Sequence, residues 1–396
     1  MGPNAYQPSD AGREYVRRAR ELAPRIAAAG VEIDANRTLP APIVDALHEA
    51  GLFRLLLPRS LGGAELEPLA FMSVMEEVAK ADASTAWCLG QTNGCSMSAA
   101  YLEPGVAQEI FGDPRGVLAW GPGPGARAVA VEGGFRVSGT WSFASGGHLA
   151  TWLGGYCPIV DADGAPRRTT DGRPAGRTML FPAASVKLTD IWHVMGLRGT
   201  ASDAYTAHDL FVPARYALRR DDASARTAVG PLYCFPINNL FMSGFSGVAL
   251  GIARAMLDAL IALAQDKKPR GFARPLRESA VAQSEVARCE ARLSAARAFL
   301  VSSIGDVWAE VVRTGQLELD QRMRIRLAST YAIQEAKAAA DVVYHTAGST
   351  AIFGANPFER RFRDINTVTQ QLQGRYTHFE TVGQFLLGLE ADISFL

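Results

Sequence analysis

The stretch Trp141-Ser142-Phe143-Ala144-Ser145-Gly146-Gly147-His148 (WSFASGGH) decides how this chain is read. It runs from a β-prone segment into a Ser-Gly-Gly turn and ends on one of only six histidines. Paired glycines let a backbone turn sharply or come close to a ligand, because they lack the Cβ that forbids positive φ. A serine there either caps the turn through its hydroxyl or offers that hydroxyl to something bound. The flanking sequence decides between the two.

Upstream, from about Tyr15 to Gly112, apolar residues recur three and four apart in REYVRRARELAPRIAAAGV (Arg13 to Val31), PAPIVDALHEAGLF (Pro40 to Phe53) and LEPLAFMSVMEEVAKA (Leu66 to Ala81), the period of helices that bury one face. Pro40 is placed to open a helix and Gly51 to close one. From Pro114 to about Leu218 the texture changes to short β-prone runs such as FRVSGTWSF, TWLGGYCPIV and RTMLFPAASVKL, and Gly133-Gly134 between two alternating runs signals a hairpin. DADGAPRRTTDGRPAG, Asp161 to Gly176, reads as an exposed loop. From about Pro231 onward three long alanine-rich segments (Phe241 to Gln265, Glu278 to Val312, Asp320 to Gly348) predict an antiparallel four-helix bundle. The expected division is a helical domain over 1–113, a small β-barrel or sandwich over 114–222 and the bundle over 223–396, an α+β multidomain chain.

Forty Lys and Arg balance forty Asp and Glu in 396 residues, which disfavours nucleic acid and anionic membranes as partners. Five cysteines (Cys88, Cys95, Cys157, Cys234, Cys289) are scattered without a Cys-x-x-Cys pair. That excludes a disulfide framework and a zinc site, and predicts a reduced, cytoplasmic chain with no metal. The N-terminus mixes charges without an apolar core, unlike a signal peptide. Asn239 to Gln265 comes nearest to a membrane span, but its small residues and the charges that follow favour a buried bundle helix.

Helices, then a β domain, then a helical bundle is the order of the acyl-CoA dehydrogenase fold, and four motifs in sequence carry the resemblance: GLFRLLLPRSLGG (Gly51 to Gly63), GTWSFASG, RGFARPLRESAVAQ (Arg270 to Gln283) and AGSTAIFGANPFERRFRD (Ala347 to Asp364). DASTAWCLG (Asp82 to Gly90), WSFASG and WHVMGLRGTASD (Trp192 to Asp203) resemble the flavin-dependent monooxygenases built on that scaffold: oxygenase components of two-component phenol hydroxylases, dibenzothiophene monooxygenase and amino-sugar N-oxygenases. The resemblance implies reduced FMN or FAD supplied by a separate reductase, O2 as co-substrate, a C4a-hydroperoxide of the flavin as oxidant, and a homotetramer.

Chemistry separates this reading from its first rival, an acyl-CoA dehydrogenase or related oxidase. A dehydrogenase removes a weakly acidic proton with a buried carboxylate. In the family that carboxylate follows the Arg-Asp pair, in a Tyr-Glu-Gly context; here Gln373-Gly374 stands there, and a glutamine amide takes no proton at neutral pH. The alternative family position falls near Phe241 and also lacks an acid. Some phenol hydroxylases of the branch carry a histidine about eight residues after the Arg-Asp arginine, where this chain has Gln371, which favours a substrate needing no histidine base or a relocated one. A second rival is a non-catalytic assembly subunit of the same fold.

The resemblance also assigns roles. It puts Phe143 against the isoalloxazine ring and Ser145 near N5 or O4, with Gly146 allowing close approach. His148 is a candidate for orienting substrate, and His378 a relocated histidine. Trp120 and Arg127 flank GPGPGAR (Gly121 to Arg127), which lacks the spacing of a phosphate loop and so becomes a pocket candidate. Trp192, Arg198, Thr200 and Ser202 match the turn beside the flavin's dimethylbenzene edge or phosphate chain. Arg270, Phe272 and Gln283, with Arg274, match the segment that grips an FAD adenylate from a neighbouring subunit.

Overall fold

The computed structural model describes residues 8–169, 172, 174–220, 222–271, 273–393 and 396. Five helices come first: α1 (Asp10–Asn36), α2 (Ala41–Glu49), α3 (Pro68–Ala81), α4 (Ala83–Ser96) and α5 (Pro104–Phe111). Ser9 caps α1 by accepting from the Gly12 amide, and Asp82 caps α4 by accepting from the Thr85 amide and hydroxyl. Every residue of α4 except Gln91 is buried, so this helix runs through the interior and carries its side chains to all its neighbours.

The middle of the chain forms β1 (Leu118–Ala119), β2 (Arg127–Val131), β3 (Gly134–Trp141), β4 (Trp152–Val160), β5 (Gly176–Pro182), β6 (Lys187–Thr189), β7 (Ala204–Pro213) and β8 (Ala217–Leu218). Gly133, at φ +74°, turns β2 back into β3. The strands follow one hydrogen-bonded path, β6-β7-β3-β2-β4-β5-β8, with β1 added beside β4. β1 and β2 run parallel to β4 and the other pairings are antiparallel. Among the described residues β6 and β8 do not pair, so the sheet is open rather than a closed barrel. Its core is the Trp141–Tyr205 stack, 5.4 Å between centroids, with Phe181 against both rings.

The C-terminal third holds α6 (Ile237–Asp266), α7 (Ala280–Thr314), α8 (Leu319–Ala347), α9 (Pro357–Gln370) and α10 (Thr377–Leu386). Three helices are long, and the fourth place of the expected bundle is shared by the short α9 and α10. Gly348 at φ +58° and Pro357 break the helical path after α8. α6 is the central element. Gly247 and Gly251 lie against the Met72 and Glu76 carbonyls of α3, where a Cβ would come within 2.4 Å, so only glycine lets the two backbones meet. By length and composition α6 could cross a membrane, yet most of it is buried in the protein. It runs parallel to α8, since the Ser246 hydroxyl donates to the Ser329 carbonyl and Lys267 to the Ala347 carbonyl.

Candidate functional site

Two turns face each other at the end of β3. In the first, Phe143 sits at φ +59° and is 59% exposed, and Gly146 follows at φ +75°. In the second, Leu197 (φ +52°) and Ala201 (φ +43°) bracket the 3-10 turn Arg198–Thr200. Backbone bonds zip the two together: Ala144 N–H donates to the Asp203 carbonyl and Gly146 N–H to the Thr200 carbonyl, both at 3.2 Å. Left-handed backbone at a bulky residue costs on the order of 1 kcal/mol and persists only where its surroundings enforce it. Three such residues on two opposed turns, beside an exposed aromatic ring, mark a built site.

Beneath Phe143 runs a relay of hydroxyls. The Trp87 indole donates to Ser145 Oγ (3.1 Å), Ser145 and Ser202 share a bond of 2.6 Å, Ser202 and Thr200 one of 2.7 Å, and Thr200 donates to the Leu197 carbonyl (2.8 Å). Ser145, Thr200 and Ser202 are all buried. Asp203 ties the outer edge: one carboxylate oxygen accepts from the Ile191 and Trp192 amides (2.9 and 3.0 Å), the other bonds His148 Nε2 (2.7 Å). The Trp192 ring meets Phe143 edge-on at 5.8 Å, and its own N–H donates to the Leu197 carbonyl. The Leu197 amide in turn donates to Asp364 on α9 at 2.7 Å. Burial raises the Asp364 carboxyl to about 7, reinforced by Asp82 and opposed by the Leu197 bond and the Arg360 and Arg363 guanidiniums.

Behind the relay an aromatic column leads inward. Trp87 stacks on Phe245 at 3.9 Å, and Phe245 lies parallel to Phe241 at 5.6 Å. Trp120 is buried, its carbonyl accepts from Gln91 Nε2 (2.9 Å), and the Arg220 guanidinium covers its ring at 5.1 Å. The thiols of Cys88 and Cys95 are pushed up by burial, Cys95 to about 12, so neither is a nucleophile.

The structure therefore brings together Phe143, Ser145, Gly146, Trp192, Thr200 and Ser202, which the sequence proposes as one cofactor surface. Two details differ from expectation. The Thr200 and Ser202 hydroxyls are spent on each other and on Leu197, so neither is free for a phosphate. His148 is bound to Asp203 and lines an outer cavity of about 470 Å³ with His48, Asp45 and Arg115, while Arg198 pairs with Asp34 at 3.8 Å. Gln371 caps the turn before α10, its Oε1 accepting from the Gln373 amide, and Gln373 is buried with its own Oε1 unpartnered. His378 is buried on α10 and bonded to the Leu372 carbonyl; burial, then Arg326, pushes its pKa below the ordinary histidine value. Arg127 is exposed at the first position of β2.

Arg270 belongs to a second place, a cavity of about 490 Å³ with Lys267, Lys268 and Thr350 at the far end of α6. Arg274 and Gln283 are not among its lining residues: Arg274 lies near Glu278 and Gln283 donates to the Arg277 carbonyl, while Phe272 lies outside the described residues. Trp87, Asp203, Arg220 and Asp364 escaped the reading of single motifs. Trp87, Asp203 and Asp364 all stand inside quoted motifs, where an indole donor, an acid beside a turn and an Arg-Asp pair were the available signals.

Two family models match the chain: the acyl-CoA dehydrogenase N-terminal domain over residues 9–105 and the acyl-CoA dehydrogenase C-terminal domain over 243–374. With them stands a relative 30% identical over 361 residues, 90% of this chain and 89% of the relative, the indole-3-acetate monooxygenase of Pseudomonas putida. The chain belongs to the acyl-CoA dehydrogenase family. Its relatives lie on the flavin-dependent monooxygenase side of that family, and include the oxygenase component of the FADH2-dependent resorcinol hydroxylase of Rhizobium sp. (strain MTP-10005), 28% identical over 89% of each chain. Among solved structures, XiaF from Streptomyces sp. in complex with FADH2 and glycerol shares the fold at a TM-score of 0.88, with 24% identity over 96% of this chain and 97% of that one. FMN-bound TdsC from Paenibacillus sp. A11-2 shares it at 0.79, with 20% identity over 95% and 98%.

Proposed function

We propose that this chain is the oxygenase component of a two-component flavin-dependent monooxygenase. A separate reductase supplies reduced FMN or FAD; one atom of O2 enters a small aromatic or heteroatom-bearing substrate and the other leaves as water. Bound reduced flavin supplies the two electrons that activate O2. The residues of the two turns fit such a ring: Phe143, Ile191 and Met195 offer an exposed apolar face, Trp192 stands at its edge, and Gly146 lets the turn pack closely on α4, where a Cβ would come within 2.8 Å of Thr92. Ser145 supports the polar edge. The Trp87–Phe245–Phe241 column keeps water from the interior side, which an oxygenase requires to avoid losing its oxidising power as peroxide.

One observation carries the choice against dehydrogenation. The two opposed turns and their hydroxyl relay form a surface suited to a flavin ring, while the two places where the family puts its base correspond to Gln373 and the neighbourhood of Phe241. Asp364 is no substitute: it is buried beneath the Leu197 turn and accepts its amide. With Gln371 serving as a turn cap and His378 bonded to backbone, the site favours a substrate that is electron-rich without deprotonation, such as an indole, an amine or a sulfide. A strained cradle of this kind also argues against an assembly subunit that has lost its cofactor.

The proposal extends to a cytoplasmic homotetramer. The free thiols, mostly buried, suit a reducing compartment. Lys267, beside Arg270, lies 22 residues along α6 from Phe245, roughly 33 Å at 1.5 Å per residue, so the Arg270 cavity and the cradle of one chain stand far apart. A neighbouring copy is the natural source of the Arg270 that completes each site.

The test is direct. Reconstituted with flavin and kept anaerobic, the protein should not be bleached by any member of a broad acyl-CoA panel. Supplied with reduced flavin and isotopically labelled O2, it should place one labelled atom in an indole, amine or sulfide product. Bleaching by one acyl-CoA at a useful rate would overturn the assignment.

A further inference from the structure

The directions of the bonds in the hydroxyl relay follow from its two ends. The Trp87 indole can only donate and the Leu197 carbonyl can only accept. Thr200 has one proton and gives it to Leu197, so in its bond with Ser202 it accepts. Ser202 then gives its proton to Thr200, and in its bond with Ser145 it too accepts. Ser145 must therefore spend its single proton on Ser202 while accepting from Trp87. A hydroxyl has one proton and two lone pairs, and Ser145 is left with one lone pair and nothing to donate.

We propose that the relay Trp87–Ser145–Ser202–Thr200 fixes Ser145 as a hydrogen-bond acceptor toward the cofactor and thereby makes the cradle select reduced over oxidised flavin. The inference rests on the two-component reading and on the place of Ser145 beside the flavin's central ring. Reduced flavin carries a proton on N5 and donates there; oxidised flavin has a bare N5 that can only accept. An acceptor-only Ser145 matches the first and meets the second lone pair to lone pair. An oxygenase that receives its flavin already reduced, and must release it oxidised, needs this asymmetry. Thr200 and Ser202 are thus positioning residues: they act through Ser145 by deciding where its proton points.

Each link has a distinct consequence. Ser202→Ala removes the acceptor for the Ser145 proton and frees it to reach an oxidised N5. Thr200→Val removes the pull of the Leu197 carbonyl, so Ser202 turns to donate to Ser145 and the Ser145 proton is freed by a second route. Thr200→Ser keeps the hydroxyl and the polarity. Trp87→Phe deletes a bond but leaves the polarity fixed from the Leu197 end.

The experiment measures, under anaerobic conditions, the dissociation constants of oxidised and reduced FMN and FAD for the parent and these four variants, with the midpoint potential of bound flavin as a second readout. The parent should bind reduced flavin more tightly. Ser202→Ala and Thr200→Val should each narrow that preference by about tenfold, the effect of roughly one hydrogen bond, chiefly by tightening oxidised flavin. In the parent the bound potential should lie above that of free flavin, and in Ser202→Ala and Thr200→Val it should fall back toward the free value, a tenfold change in ratio being about 30 mV for two electrons. The double variant should match Ser202→Ala alone, because the two changes lie on one path. Thr200→Ser and Trp87→Phe should hold the ratio within about twofold.

The failures are distinguishable. A parent with no preference for reduced flavin sinks the two-component reading itself. A parent that prefers reduced flavin, with a ratio unmoved in Ser202→Ala and Thr200→Val, sinks the relay alone. Equal weakening of both redox forms in all four variants would show that the relay only shapes the cradle, and that also overturns the proposal.

Discussion

Phe143 places an exposed ring on left-handed backbone, two features that selection for stability alone would remove. A bulky residue at this φ costs on the order of 1 kcal/mol relative to glycine, and a residue 59% exposed gains little by burial. Phe143→Gly should therefore melt no lower than the parent, while its dissociation constant for reduced flavin rises at least about tenfold with the loss of the stacked face. Calorimetry and anaerobic flavin titration read the two effects separately; a variant that melts several degrees lower with unchanged affinity would make Phe143 a packing residue. The sequence already shows Phe143, Ser145 and Gly146 as a unit, because a β-prone run ending in Ser-Gly-Gly is a local signal. It does not show the strain at Leu197 and Ala201. Leucine and alanine carry no preference for positive φ, and their conformation is imposed by bonds to residues such as Asp364, 167 positions away.

At the scale of elements, the cofactor surface is a junction held by α4, the two turns and α9. Asp82 caps α4 and so aims Trp87; Asp364 on α9 holds the Leu197 amide and so fixes the second turn. The groups acting on Asp364 are Asp82, Arg360, Arg363 and the Leu197 N–H, and burial outweighs the favourable ones, raising its carboxyl to about 7. A raised folded-state pKa means that the native protein holds this proton more tightly than the unfolded chain. The stability it contributes is fully present below the ordinary carboxyl range near 4 and is lost as pH rises through about 7. Asp364→Asn keeps an acceptor for Leu197 and cannot ionise. Between pH 5 and pH 8 its stability should change less than the parent's, with the gap on the order of a few kcal/mol at most, measured by denaturant melts at both pH values. Parent and variant curves of the same shape would show that Asp364 does not titrate in this range. Helix periods and the β-prone middle were legible because they are local. The relay was not: Ser145 and Ser202 are 57 residues apart and Trp87 and Ser145 58, and no spacing within one motif records that they share a proton path. The three long bundle helices were legible in the same way as the earlier helices, whereas the fourth place, filled by α9 and α10, was not, because the breaks at Gly348 and Pro357 act through how the chain repacks after them.

In the whole molecule, two candidate binding places stand far apart on one chain. The cradle lies near Phe245, early in α6, and the basic cavity of Arg270, Lys267 and Lys268 at its end, separated by several helical turns. Exposed apolar side chains at Ile352, Phe353, Tyr376, Leu386 and Leu387 leave the C-terminal region with surface that a second copy would cover. If Arg270 of one copy grips the adenylate of an FAD held by the cradle of another, Arg270→Ala should weaken FAD about tenfold or more and leave FMN nearly unchanged, since FMN has no adenylate to hold. Complementation then decides the geometry. Phe143→Ala carries a damaged cradle with an intact Arg270, and Arg270→Ala the reverse; each alone should bind FAD poorly. Co-expressed in equal amounts, they form mixed pairs in which one of the two sites takes its cradle from one variant and its arginine from the other. Half of randomly formed pairs are mixed, so roughly a quarter of all sites should recover parental affinity. Sites built within a single chain would give no recovery at all, because every chain in the mixture carries one lesion. Recovery near a quarter, alongside a dimer or tetramer by light scattering, would make the neighbouring copy part of the site; no recovery, or an Arg270→Ala protein that holds FAD as the parent does, would return the cavity to the status of solvated surface.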